Sequence, residues 1–482
     1  MSSGNSLNPN RRIAGSYRDP SGYVFSRAGH IYRAIDDGCQ QVLRGLADEG
    51  LLAKLVERGL LVQTDFVTEG GLLETLRNEH AGYQHFLEHE VLDTITYPYE
   101  WSVSMLADAG IHTLDLQMEL LASGCSLKDA SAYNVQFVRG RPKFIDVASI
   151  ERPRRLDVWF ALGQFTQMFL FPLLLCRYRG WDLRSYFLGQ PGGRPVEEVA
   201  RCFGPLGRLR PRLLMDLTLP LWLQRWADKG HRTQRETLDK SKPDSRPQVL
   251  NLKRLRRKLG KLAAGYRPGG TWAEYTPICS YDRAAEHAKQ TFVQEFLEST
   301  QPRRVLDLGC NTGDYSRLAA ERGADVLAVD ADHDAVEILY RRLSENPAPI
   351  HPMVVDLANP SPGVGYLNRE RAPFFERAGA ECVLALALMH HLMISANLSL
   401  EAVRDLMAEM TDRDLVLEFV PPDDAMFRRL MKFRVDLFGG LTLDACRSVF
   451  LERFELLKEA PIPDSKRTLL FLRKVSNRAA SA

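Results

Sequence analysis

The apolar and polar positions are most regular in the C-terminal half. Arg304 to Leu308 is a short apolar run interrupted by one acid, Asp307, and it stops at Gly309. Asp314 to Arg322 then reads as a helix with Tyr315, Leu318 and Ala319 on one face. Gly323 stands where a helix C-cap is wanted. Asp325 to Val329 is a second apolar run, closed by Asp330. Met353-Val-Val-Asp356, Glu381 to Leu388 and Asp414 to Val420 predict three further strands, and Ala284 to Glu298 predicts a helix leading into them. Phe454-Glu-Leu-Leu-Lys and Thr468-Leu-Leu-Phe-Leu-Arg, with Ser465-Lys-Arg between them, predict a closing antiparallel hairpin.

The N-terminal half is less regular. Gly22-Tyr-Val-Phe and His30-Ile-Tyr-Arg predict a hairpin. Gln40 to Arg58, Gly71 to Glu90 and Ile111 to Ala122 carry helical patterns. The most apolar run, Met168 to Cys176, is far shorter than the roughly 20 residues of a membrane-spanning helix. It predicts a buried helix broken near Pro172. Around Leu252, Leu255 and Leu259 the intervening residues are basic, which predicts a basic amphipathic helix. Such a helix suits phosphate, an anionic membrane or a polyanionic substrate, or it rests its leucines on a neighbouring domain. The resulting partition is a disordered tail (1–18), an α+β domain (19–225), a basic linker and helix (226–270), an α/β domain (271–475) and a second tail (476–482).

Composition narrows this little. Of 482 residues, 45% are hydrophobic and 26% charged, as in ordinary globular chains, and the net charge of +2 provides no global field toward nucleic acid or membrane. The eight cysteines form no Cys-x-x-Cys pair. With no secretory signal read at the N-terminus, a cytoplasmic location is the expectation.

The chemistry concentrates at the first strand-to-helix turn. Glycine there lets a backbone approach a ligand closely. An acid at the end of the second strand can accept both ribose hydroxyls. A dinucleotide site wants Gly-x-Gly-x-x-Gly, whereas this turn is Gly309-Cys310-Asn311-Thr312-Gly313, so its pyrophosphate cradle is incomplete. Asp307, inside the strand, suits a ligand with a cationic amino-acid end. The pattern favours S-adenosylmethionine over a dinucleotide.

At these residues the chain resembles the class I S-adenosylmethionine-dependent methyltransferases, over roughly residues 271 to 475. The resemblance implies a Rossmann-like seven-stranded domain. It implies that Asp307, Gly309, Cys310, Asn311 and Gly313 surround the methionine end, that Asp330 holds the ribose, and that Asp356 meets the adenine amino group. It makes Tyr275, Tyr281 and Lys289 candidate contacts to cofactor or substrate. The segment Met389-His390-His391-Leu392 lies where such enzymes handle the acceptor, so His390 or His391 is a candidate base, with Glu418 as the other. Adjacent histidines on a turn diverge and no ligand-spaced partner accompanies them, so no metal is expected.

A second constellation lies upstream. Asp129, Asn134 and Asp146 resemble the catalytic segment of protein-kinase-like phosphotransferases, in which a base and two magnesium ligands recur at this spacing. Leu127-Lys128 replaces the usual His-Arg, no glycine-rich loop precedes, and Arg33 is a poor stand-in for the phosphate-pairing lysine. A working kinase-like site, a reused binding fold and a coincidental hairpin all remain open. Asp19-Pro-Ser-Gly-Tyr-Val-Phe, Tyr97-Pro-Tyr-Glu-Trp101, Leu127-Lys-Asp-Ala-Ser-Ala-Tyr-Asn134 and Phe144-Ile-Asp146 together resemble a bacterial group of two-part methyltransferases that includes the NoeA-type host-specific nodulation protein.

The expected activity is methyl transfer to oxygen or nitrogen of a small-molecule or glycan acceptor, with a methylene-type carbon also open. A bifunctional kinase-like methyltransferase and a catalytically silent cofactor-binding scaffold are the alternatives. Nucleic acid is not the expected acceptor, because no Asn-Pro-Pro-Tyr-type segment follows the fourth strand. The acceptor's identity and the oligomeric state are left open.

Overall fold

The computed structural model describes residues 10–16, 18–68, 70–227, 244–269, 283–432 and 438–475. Two sheets organise it. The first is a five-stranded antiparallel sheet of β1 (Asn10–Arg12), β2 (Gly22–Arg27), β3 (His30–Ile35), β4 (Thr64–Phe66) and β5 (His85–His89), in the order β1-β2-β3-β5-β4. The N-terminal stretch read as a tail thus contributes an edge strand, because Arg11 and Arg12 register against Ser26 and Phe25.

Three helical expectations need correction. The stretch from Gly71 to Glu90 divides into a helix, Gly70–Glu79, and the strand β5. Sheet pairing of Phe86 and Leu87 with Ala34 and Arg33 buries both side chains, and this overrides the local helical pattern. The stretch from Gln40 to Arg58 divides at Gly50, whose φ of 72° only glycine adopts without strain, into Asp37–Asp48 and Leu51–Glu57. The apolar run around Pro172 is not broken. Helical dihedrals continue through a π-helical stretch, Thr166–Leu170, into Phe171–Arg179, and Pro172 falls at the start of that last segment.

After the long buried helix Val103–Ala122 come two short two-stranded sheets. These are β6 (Ser126–Leu127) with β9 (Ile150–Glu151), and β7 (Val135–Val138) with β8 (Arg141–Phe144). Arg139 and Gly140, both with positive φ, make the β7–β8 turn. The basic helix Arg246–Gly265 packs against Val103–Ala122. Its Leu252, Leu255, Leu259 and Leu262 are buried in the same core as Leu106 and Phe169.

The second sheet has seven strands: β10 (Arg304–Leu308), β11 (Asp325–Asp330), β12 (Ile350–Val354), β13 (Ala380–Ala385), β14 (Thr411–Phe419), β15 (Phe454–Pro461) and β16 (Thr468–Lys474). Their order is β12-β11-β10-β13-β14-β16-β15. The first five in space run parallel, and β16 pairs antiparallel to β14 and to β15. This is the Rossmann-like seven-stranded arrangement expected from the sequence. Its strand order reverses at β10, and ligands in open α/β sheets bind beyond the carboxyl ends of the strands at such a point.

The halves are joined by buried polar contacts. Glu337, fully buried in the helix His333–Glu345, accepts from the backbone N–H of Ser104 at 2.9 Å and so caps the N-terminus of Val103–Ala122. Arg377 Nη2 lies 2.5 Å from Glu100 Oε1, with the carboxylate wholly inaccessible and the Tyr97 ring 4.4 Å beneath the guanidinium.

Candidate functional site

At the carboxyl end of β10 the chain turns sharply. The N–H groups of Gly309 and Cys310 both donate to Val329 O, at 2.8 and 3.0 Å, which folds the turn back over β11. Gly309 and Gly313 have φ of 72° and 85°, and Asn311 between them has φ of 48°. A Cβ at Gly313 would collide with the Leu339 side chain, so glycine is required there both for conformation and for space. Cys310 is buried, and burial pushes its thiol well up, so it stays a neutral packing group.

Three sequence-predicted residues, Asp307, Asn311 and Asp330, meet at this turn, and a fourth, Asp356, lies beyond β12. Asp307 is 3% exposed, and its Oδ2 accepts from Ser316 Oγ at 2.6 Å. Burial raises its carboxyl to about 6, against which the Ser316 hydrogen bond acts only in part. Asp330 accepts from Asn311 N and from Asp332 N, each at 2.8 Å, one bond to each carboxylate oxygen. That fixes the carboxylate plane and leaves a lone pair on each oxygen. Asn311 Oδ1 is buried and has no partner among the described residues. Asp356, beyond β12, is exposed and accepts from Ala358 N at 2.9 Å.

This donor set fits S-adenosylmethionine. A fixed acid with spare acceptor capacity suits a vicinal diol. A buried acid of raised pKa suits an ammonium. A glycine-lined turn admits the backbone close to a thioether chain. Tyr281 and Tyr275 lie outside the described residues.

The acceptor-side candidates separate on inspection. His390 is 1% exposed, and both its ring nitrogens lack a partner among the described residues. Burial, then the neighbouring His391 and Arg467, lowers its pKa to about 3. His391 is half-buried, and burial with Arg467 lowers it to about 4. Both imidazoles are therefore neutral at physiological pH.

Glu418 does not suit the role of base. It is fully buried at the end of β14, with Lys289 Nζ 2.6 Å from one oxygen and Arg467 Nη1 3.0 Å from the other. Burial alone would raise its pKa, but the two cations outweigh it and hold it at about 2. Arg467 also grips Asp424, at 2.9 Å through Nε, and Asp424 in turn caps the helix Ala425–Met431. The Lys289–Glu418–Arg467–Asp424 chain is a scaffold under the histidines. Arg467 and Asp424 were not singled out from the sequence. The one local trace of their pairing is Arg467's place in the Ser465-Lys-Arg turn that faces the end of β14.

In the N-terminal half, Asp129 follows β6, Asn134 precedes β7 and Asp146 follows β8, and the fold brings the last two together, with Asn134 Nδ2 3.5 Å from Asp146 Oδ2. Arg33 of β3 reaches the same place. Its Nη1 lies 2.7 Å from Asp146 Oδ1 and 3.5 Å from Asp19 Oδ2. Asp129 accepts from Ser131 N at 2.8 Å, and its pKa is raised by burial. Among the described residues no group of three or more His, Cys, Asp or Glu side chains is placed to hold a metal ion. No helix among them is long and apolar enough to cross a membrane.

Comparison with known proteins gives the family. Residues 281–423 match a family model described as a methyltransferase domain. The nodulation protein NoeA of Rhizobium meliloti (strain 1021) is 34% identical over 467 residues, covering 95% of each chain. Among solved structures, the N-methyltransferase NodS of Bradyrhizobium japonicum WM9 is similar at 15% identity and a TM-score of 0.31, covering 40% of this chain and 99% of that one. The bifunctional kinase-methyltransferase WbdD is similar at 17% identity and a TM-score of 0.30, covering 42% of this chain and 41% of that one. With a relative this similar over nearly its whole length and a methyltransferase-domain match that spans the five parallel strands β10 to β14, the chain belongs to the NoeA family and is a class I S-adenosylmethionine-dependent methyltransferase.

Proposed function

We propose that the enzyme methylates an oxygen or nitrogen of a small-molecule or glycan acceptor seated over His390 and His391. The observation that carries this is the pair of neutral imidazoles just beyond β13, His390 buried and His391 half-buried beside it.

In this reading Asp307 holds the amino-acid end of the donor, the Gly309–Gly313 turn lies along its thioether, Asp330 takes the ribose hydroxyls and Asp356 faces the adenine. S-adenosylmethionine supplies a methyl group activated by a sulfonium. The residues of the chain have two tasks, alignment and removal of the acceptor's proton. His391, half-buried where His390 is sealed, accepts the hydrogen of the acceptor hydroxyl or amine. Lys289, Glu418 and Arg467 hold the wall on which both histidines stand.

The test is incubation of purified protein and labelled methyl donor with extracted metabolite and glycan pools, read by mass spectrometry. Label in a low-molecular-weight or saccharide product supports the reading, and label confined to nucleic acid or protein defeats it. Calorimetry with S-adenosylhomocysteine checks the cofactor assignment: Asp330→Ala should weaken binding by at least tenfold, about 1.4 kcal/mol. Undiminished affinity would remove Asp330 from the ribose.

A further inference from the structure

One surface is built unlike the rest. Between residues 206 and 223 a run of short helical turns leaves Leu206, Leu214, Met215, Leu219, Trp222 and Leu223 exposed, Leu206 at 84% and Trp222 at 60%. Single exposed apolar side chains are ordinary, but this many within one short stretch mark an interaction face.

What borders this face identifies its partner. Arg254 and Lys258, on the helix Arg246–Gly265, pair with the buried Asp216, and Lys258 also donates to Arg212 O. The basic helix therefore lies alongside the apolar turn. That helix holds seven basic residues and no acid. Lys253, Arg257 and Lys261, at helical spacing on its outer face, are exposed. None of the three is in an ion pair among the described residues. The acids close by are already used, Asp216 by Arg254 and Lys258, and Asp115 by Arg256.

We infer that this face docks the enzyme on an anionic lipid surface. The leucines, Met215 and Trp222 enter the headgroup boundary, while Lys253, Arg257 and Lys261 meet lipid phosphates. The tryptophan suits such a boundary because its ring is apolar and its N–H is polar. A protein partner for the same strip would have to supply both an apolar groove and a row of acids, whereas an anionic bilayer presents both along a plane.

The test is flotation of the full-length protein with phosphatidylcholine vesicles, with and without phosphatidylglycerol. Binding should require phosphatidylglycerol and fade as salt rises. The triple variant Lys253→Glu, Arg257→Glu and Lys261→Glu should bind on the order of a hundredfold more weakly. Leu219→Ser with Trp222→Ser should release the protein from the same vesicles. All five positions are exposed, and unchanged S-adenosylhomocysteine affinity and an unchanged melting curve show that each variant folds. A protein that stays off anionic vesicles, or variants that bind as the parent does, overturns the inference. Sedimentation showing a dimer that the Leu219/Trp222 variant abolishes assigns the face to a second copy and overturns it equally.

Discussion

Lys289 Nζ lies 2.6 Å from Glu418 Oε2, and both side chains are buried, at 7% and 0% exposure. The contact ties the helix that leads into the methyltransferase domain to the end of β14, and Arg467 closes it from the far side. Desolvating such groups is costly, so the pair is a scaffold only while every member is present.

Lys289→Met should therefore destabilise the protein by about 3–5 kcal/mol, because Glu418 is left facing Arg467 alone in a buried site. Urea denaturation measures this. The pH dependence follows from the sign of the shift. Glu418 is depressed from 4.5 to about 2, so its contribution is full above pH 4.5 and is lost as the pH falls through that window toward 2. A flat stability curve there would detach Glu418 from the network.

The histidines titrate the other way round from an ordinary stabilising imidazole. Their folded pKa values, about 3 and about 4, lie below 6.5. Below pH 6.5 the unfolded chain binds protons that the folded one does not, so stability falls as pH drops from 6.5 toward 4. His390→Phe should remove part of that slope, since it deletes one of the two titrations. Methyl transfer should show no inflection near pH 6.5 assignable to either imidazole, and His391→Ala should lower kcat by about a hundredfold. A bell-shaped profile with a limb near 6.5 that vanishes in His391→Ala would refute the neutral assignment.

With Asp307 at the donor's ammonium, as proposed, donor binding should depend on pH. Its carboxyl is raised to about 6 by burial, and a ligand ammonium favours the ionised form. S-adenosylhomocysteine should bind about tenfold more weakly at pH 5 than at pH 7. Between those values binding should release a proton, visible as a dependence of calorimetric heat on buffer ionisation. Asp307→Asn should abolish the buffer dependence.

Arg33 of β3 is paired with Asp146 in the N-terminal half. With its guanidinium 2.7 Å from Asp146 Oδ1, the carboxylate already has its counter-charge. Magnesium and ATP at millimolar concentration should give no binding heat with the wild-type chain. ATP turnover that disappears in Asp129→Ala would establish a working kinase-like site instead. Arg33→Met should destabilise the protein by about 3 kcal/mol, since Asp146 and Asp19 lose their shared partner.

Some of this was legible in local patterning. β10, β11 and the closing hairpin fall where the runs 304–308, 325–330, 454–458 and 468–473 put them. Fully buried parallel strands are continuous apolar runs, and glycine marks the turns between them. The glycine turn after β10 was legible for the same reason, since positive φ at Gly309 and Gly313 is a demand on one residue at a time. Where the pattern misled, at Gly71 to Glu90, a strand's pairing partner on β3 decided the outcome. Nothing local reveals such a partner.

The sequence by itself determined the sheet's elements, the glycine turn and the acids at the strand ends, because each depends on a few adjacent residues. Only the tertiary structure decided what the charges do. Glu418 became a scaffold between Lys289 and Arg467, Asp146 was paired with Arg33, and Glu100 was sealed against Arg377 between the halves. The physical reason is that a charge acquires its role from burial and from the partner brought to it. Both are set by how distant segments pack.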